Sequence, residues 1–164
     1  MTTLYLNRRL SDDDRRARVF DGDFFLYTDD RGSRALCALA REMTEEAFAG
    51  IDPERAQFDM PVEEFIRRVG PLKSGFTNSA RTKELCQTYL SELGCDPIRT
   101  YFDLPRLRVV PSDAYLTSGV SYAYKAHRDT WYAHPRQLVN FWIPVYPVVG
   151  ANAIELYVAR LRKR

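Results

Sequence analysis

The feature that most limits what this chain can fold into is a change of hydrophobic period near residue 98. Before it, apolar residues recur at three- and four-residue intervals, the spacing that puts them on one face of a helix. After it, β-branched and aromatic residues cluster in short runs broken by Pro, Gly and Asp, which is a strand signature. With 164 residues, one domain is expected over 1–164, with a mainly helical region over 1–97 and a β region over 98–164.

Within the first region, Ser11 offers an N-cap for a short turn, with Asp12, Asp13 and Asp14 well placed at its positive end. Asp21-Gly22-Asp23 is a turn signal, and 24–28 reads as a strand. Ser33 offers the next N-cap. Leu36, Leu39, Ala40, Met43 and Ala47 form a helical stripe, and Gly50 closes that helix. A second helix starts at Pro61, which lacks only an N–H that the first helical position does not use, and ends at Gly70-Pro71. A third runs from 79 to 93, with Gly94 in the C-cap position. In the second region, 106–110, 114–117, 121–132, 138–146 and 153–158 read as strands. Helices followed by short strands define an α+β chain with an antiparallel sandwich or barrel.

Lys and Arg total 24 against 22 Asp and Glu, a net charge of +2 that gives no electrostatic footprint for nucleic acid. The N-terminus carries no apolar run of signal-peptide length. The most apolar window, 139–154, is interrupted by Pro144, Pro147 and Gly150, so no membrane span is expected. The three cysteines, Cys37, Cys86 and Cys95, match neither a zinc spacing nor a disulfide framework. Reduced thiols and a cytoplasmic location are the expectation.

Only His127 and His134 carry imidazole, and this limits the available chemistry. On a strand, His127 and Asp129 face the same side, with Cβ atoms roughly 6–7 Å apart. They then supply two of the three ligands of the two-His, one-carboxylate triad that holds non-heme Fe(II). Three other readings compete. His127 is hydrogen-bonded in a β-core. Alternatively, His127-Arg128-Asp129 spells a kinase catalytic loop, but that loop needs Asn where His134 stands, and neither a DFG sequence nor a Gly-rich loop is present. Lastly, a hairpin brings His134 back so that His127, Asp129 and His134 hold zinc.

Residues 100–158 resemble the jelly-roll Fe(II)/2-oxoglutarate-dependent dioxygenases, in particular the phytanoyl-CoA-hydroxylase-like branch and its small-molecule biosynthetic relatives. The likeness lies in the order of His127-x-Asp129, the aromatic run from Leu138 through Asn140, Phe141 and Trp142 to Val145, and Asn152-Ala153 leading into Ile154-Glu155-Leu156. The resemblance implies an incomplete double-stranded β-helix over the helical layer. It implies His127 and Asp129 as iron ligands, and Fe(II), 2-oxoglutarate and a small organic substrate as partners. Asn140, Tyr115 and Tyr124 are its candidate cosubstrate-facing residues. Trp131 and Trp142 are expected in the core or the pocket wall.

The family also carries a distal His and a 2-oxoglutarate-binding Arg, and no histidine follows His134. By the family's layout the chain stops about halfway through the β-helix. The expected function is therefore a dioxygenase-like oxidoreductase that is weak or inactive alone. The alternative is a non-catalytic subunit or interaction module, completed by a partner chain or by homodimerisation, because an open sheet edge and uncovered apolar face invite pairing.

Overall fold

The computed structural model describes residues 2–28, 30–121, 127, 129–132, 134–135, 137–150 and 152–154. Strand β1 (Leu4–Leu6), helix α1 (Asp12–Phe20) and strand β2 (Phe24–Leu26) come first. Four helices follow: α2 (Arg31–Ala47), α3 (Ala56–Asp59), α4 (Val62–Asn78) and α5 (Ala80–Glu92). A single 3₁₀ turn, Asp129–Tyr132, is the remaining regular element among the described residues.

The helical expectations hold in outline and differ at their ends. The Ser11 hydroxyl accepts from the Asp14 N–H at 3.1 Å, and the turn it starts extends to the nine residues of α1. This helix is the crossover joining β1 to β2, which pair in parallel in the register Leu4↔Phe24, Tyr5↔Phe25 and Leu6↔Leu26. Asp30, not Ser33, is the N-cap residue of α2, although its carboxylate makes no cap bond. The Gly32 N–H is satisfied instead by Glu92 Oε2 at 2.8 Å, from the last turn of α5. α5 behaves as its sequence suggests. Ser79 accepts from Thr82, Gly94 takes φ 78°, and the Cys95 N–H closes on the Leu90 carbonyl at 3.0 Å.

Helix α4 corrects the second expectation, because it runs straight through Gly70-Pro71. Phe65, Val69, Leu72 and Phe76 stay in step at helical spacing and all four are buried. A proline inside a helix costs about 3 kcal/mol, while burying two large apolar side chains such as Leu72 and Phe76 returns about 1.5–3 kcal/mol each. Packing therefore carries the helix past the break. α2 lies against α5 and α4, and this three-helix face holds the core. Arg68 of α4 bonds Glu64 one turn away and donates to the Ala47 carbonyl at 3.2 Å, closing the end of α2. Arg15 of α1, buried, donates to the Leu93 carbonyl at 2.6 Å and to Cys95 Sγ at 3.0 Å, and pairs with Asp12 at 2.5 Å. It fastens the β1–α1–β2 unit to the end of α5.

The β region is the main correction. Among the described residues the chain is mostly helical, with two short parallel strands, and no double-stranded β-helix is present. The expected strands at 106–110, 114–117 and 138–146 are irregular, as are residues 153 and 154 of the last one. In 121–132, residue 127 belongs to no strand and 129–132 form the 3₁₀ turn, while 122–126 and 128 lie outside the described residues, as do 155–158.

Two physical causes are visible. Pro144 removes a ladder donor inside 138–146 while Pro105, Pro111, Pro135 and Pro147 bound the runs, and Asp113 and Ala114, at the start of 114–117, adopt positive φ values of 54° and 53°, outside the strand region. Carbonyls within or beside these irregular segments accept from side chains of the helices. Thr77 donates to Pro105 at 3.0 Å, Arg41 to Val145 at 2.8 Å, Cys37 to Pro144 at 3.3 Å, Arg16 to Gln137 at 3.2 Å and Lys73 to Val120. Strand-like composition has become an irregular chain laid over a helical layer.

Candidate functional site

Asp129 opens the 3₁₀ turn, a favourable place for a carboxylate because the first N–H groups of any helical turn point toward it. His127 precedes it in irregular backbone. The chain then reverses at a turn closed by the Leu138 N–H on the Pro135 carbonyl at 3.1 Å. This reversal returns Asn140 to Asp129.

His127 Nε2 lies 3.5 Å from Asp129 Oδ1. Asn140 Nδ2 donates to the other carboxylate oxygen, Oδ2. Imidazole and carboxylate thus lie side by side through the 3₁₀ turn, not through strand alternation. The site is also open: the side chains of His127 and Asp129 are 25% and 40% exposed. Asn140 is exposed as well.

The other predicted residues go elsewhere. The Tyr115 ring packs edge-on against Phe65 of α4, with centroids 5.4 Å apart at 84°, so it belongs to the wall of the helical core. Its hydroxyl is buried and has no hydrogen-bond partner. Tyr124 lies outside the described residues. Trp131 and Trp142, expected in a core or pocket wall, are 68% and 50% exposed.

No group of three His, Cys, Asp or Glu side chains able to share a metal ion exists among the described residues. His127, Asp129 and His134 are all described, so the three-ligand zinc reading is overturned. The turn at 135–138 brings back Asn140 where that reading needed His134.

The His–Asp pair does suit two neighbouring positions on one ion. Metal–ligand bonds of about 2.0–2.2 Å at right angles place two donor atoms roughly 3 Å apart, close to the observed separation. His127 and Asp129 would hold such an ion, with Asn140 steadying the carboxylate. Bound Fe(II) would supply the oxygen-activating chemistry of the resembled family. The third donor that would fix the geometry of an iron centre is not found among the described residues, so no catalytic step follows from this pair alone.

The cysteines offer no competing site. All three are free thiols, and burial raises each above the ordinary thiol range, most simply at Cys86. At Cys95 the neighbouring Arg15 opposes that rise without reversing it. No helix among the described residues is long and apolar enough to cross a membrane. The chain matches no protein-family model, no curated protein and no solved structure.

Sequence reasoning missed the buried Arg15 cluster. The signal was faint: Arg15 sits in the run Asp12-Asp13-Asp14-Arg15-Arg16, whose plain reading is a solvated charged face.

Proposed function

We propose that this protein is an Fe(II)/2-oxoglutarate dioxygenase-like chain that binds a divalent metal through His127 and Asp129 and turns over weakly or not at all by itself. The observation that carries the reading is the 3.5 Å approach of His127 Nε2 to Asp129 Oδ1, with Asn140 on the far oxygen. These residues stand in the order the resemblance gives. The reading rests on this pair and on no β-barrel. Two protein donors in an exposed site compete directly with water, so the reading expects weak retention of iron and poor control of its geometry. The substrate class implied is a small organic molecule hydroxylated at the expense of 2-oxoglutarate and O₂.

Anaerobic titration with Fe(II), followed by 2-oxoglutarate decarboxylation assays, tests both halves. Weak uptake that disappears in His127→Ala and in Asp129→Ala is expected, with little decarboxylation. Uptake unaffected by both substitutions refutes the site, and robust decarboxylation by the isolated chain refutes its inactivity.

A second reading, an interaction module completed by another polypeptide or by a second copy, is favoured by the apolar residues exposed along 98–154. Tyr101 is 94% exposed and Ile98 86%, and Val149 and Trp131 stand out similarly. Light scattering after size-exclusion chromatography distinguishes the two readings. A stable, well-behaved monomer removes the motive for the second.

A further inference from the structure

Residues 141–147 lie against α2 and α5, and their fastenings are few. No backbone-to-backbone hydrogen bond joins them to the rest of the chain among the described residues. Each of the seven is half-buried or exposed. The Phe141 ring meets Tyr89 of α5 edge-on, with centroids 5.6 Å apart at 81°. Ile143 and Val145, two positions apart, pack against the core. Cys37 and Arg41, one turn apart on α2, donate to the adjacent Pro144 and Val145 carbonyls at 3.3 and 2.8 Å. The Arg41 guanidinium also lies over the Tyr146 ring, 5.2 Å from its centroid.

The closed arrangement serves Tyr146 poorly. Its hydroxyl is buried and has no hydrogen-bond partner among the described residues. Burial raises the phenol above its ordinary range, with Glu45 acting in the same direction and Arg41 against it, so the group keeps its proton and stays a donor without an acceptor. A buried donor left unbonded forfeits the bonds it makes to water. Lifting the segment restores them. The layer beneath loses little, because α2, α4 and α5 bury Leu36, Ala40, Phe65, Val69, Leu72 and Leu85 in a core of their own. A segment with few buried apolar contacts and no backbone ladder opens locally at lower cost than such a core.

We propose that residues 141–147 form a releasable strap that closes over Cys37 and Tyr89, and that the orphaned Tyr146 hydroxyl sets how readily it lifts. In the closed form the Cys37 thiol is engaged with Pro144, and Phe141 covers Tyr89. In the open form both are uncovered while the helical layer stays folded. The device requires no metal ion.

Limited chymotrypsin digestion of the full chain tests it, with mass spectrometry following the bonds after Phe141 and Trp142. At low protease, cleavage of a folded protein tracks the population of the open form. Tyr146→Phe removes one oxygen and keeps the ring under Arg41, and an unchanged circular dichroism spectrum checks the fold. It is expected to slow cleavage at these bonds by about 5–100-fold, since the penalty of an unbonded buried donor disappears. Arg41→Ala, which loses the Val145 bond, is expected to speed cleavage by about 2–10-fold. Both rates are expected to be insensitive to urea well below the unfolding midpoint, because lifting the strap exposes little surface. Cleavage of Tyr146→Phe as fast as wild type overturns the role of the hydroxyl, and unchanged cleavage of Arg41→Ala overturns the latch. Wild-type protein that resists cleavage at both bonds, or whose cleavage rises with urea in step with global unfolding, shows that 141–147 belongs to the core and overturns the strap.

Discussion

The same substitution, Gly→Ala, should have opposite effects at two helical positions of this chain. Helix propensity alone favours Ala over Gly by about 0.8–1 kcal/mol in a helix interior. Gly75, within α4, is free to follow that rule. A Cβ there meets only Met43 Cε, at 3.5 Å, an ordinary contact with the flexible end of a side chain. Gly75→Ala should therefore stabilise the protein by up to about 1 kcal/mol.

Gly32, in the first turn of α2, sits where α2 and α5 touch backbone to side chain. A Cβ there would lie 2.6 Å from Tyr89 Cα and 2.9 Å from its backbone nitrogen. No rotamer change relieves a clash with backbone, so the two helices must separate. Separation also stretches the 2.8 Å bond from the Gly32 N–H to Glu92, which completes the start of α2. Overpacking of this kind costs about 1–3 kcal/mol, and loss of a hydrogen bond to a charged group adds about 1.5–3 kcal/mol. Either outweighs the propensity gain, and the net for Gly32→Ala is a destabilisation of about 2–4 kcal/mol. Urea unfolding followed by circular dichroism measures both variants, and unchanged slopes show that the midpoints report stability. A neutral or stabilising Gly32→Ala would refute the close approach of α2 to α5.

Three further outcomes are expected. Phe76→Ala should cost about 3–5 kcal/mol in the same assay, as for a buried aromatic; a cost below about 1 kcal/mol, ordinary for an exposed site, would show that α4 does not continue past Pro71 as a packed helix. Burial works to raise the Asp12 carboxyl, but the bonds and charges of Arg16 and Arg15 prevail and hold it below the usual carboxylate range. Its contribution to stability is thus complete above its unfolded pKa of about 3.9 and lost as pH falls through the lower folded value. Asp12→Asn should flatten acid unfolding in that window, and an identical acid profile would refute the ion pair. Because burial raises all three thiols, iodoacetamide near pH 8 should alkylate the native protein more slowly than free cysteine, with Cys95, the most buried, slowest; rapid labelling of Cys95 would show that the α1–α5 joint opens readily.

The helical half of the fold was legible because local signals and packing agree there. The cap at Ser79, the stripe through Leu85 and Tyr89 and the left-handed Gly94 all specify the same α5. Legibility failed where a local signal met a larger tertiary term. Gly70-Pro71 is a strong stop, yet Leu72 and Phe76 have a core to enter, and the helix continues. Ser33 is a good cap by type, but α2 begins two residues earlier, and the Ser33 hydroxyl donates to the Asp30 carbonyl within its first turn. β1 went unread because it is three residues long with Leu4 and Leu6 exposed, too short a run to show a period. The strand readings beyond residue 98 failed for a further reason. Composition reports a preference for extended backbone, whereas a strand also requires a neighbour to share its hydrogen bonds. Here Arg41 and Cys37 of α2 bond the Val145 and Pro144 carbonyls within 138–146, while Thr77 and Lys73 of α4 bond Pro105 and Val120 beside the other runs.

The candidate site was legible for a reason that differs from the one first given. Strand alternation predicts that His127 and Asp129 face one way, but Asp129 begins a 3₁₀ turn and His127 belongs to no strand. The pair meets because two residues separated by one position are close in almost any backbone, so their proximity alone is weak support for a shared ligand. Asn140 is not a near neighbour. It lies eleven residues beyond Asp129 and reaches the carboxylate only after a chain reversal, which neither strand period nor local spacing predicts. A donor on the remaining oxygen satisfies a carboxylate in a structural His–Asp contact and in a metal-facing one alike. The Asn140 contact is thus the part of the site that only the tertiary fold supplies, and the response of Fe(II) uptake to His127→Ala and Asp129→Ala is the measurement that decides whether the pair holds a metal.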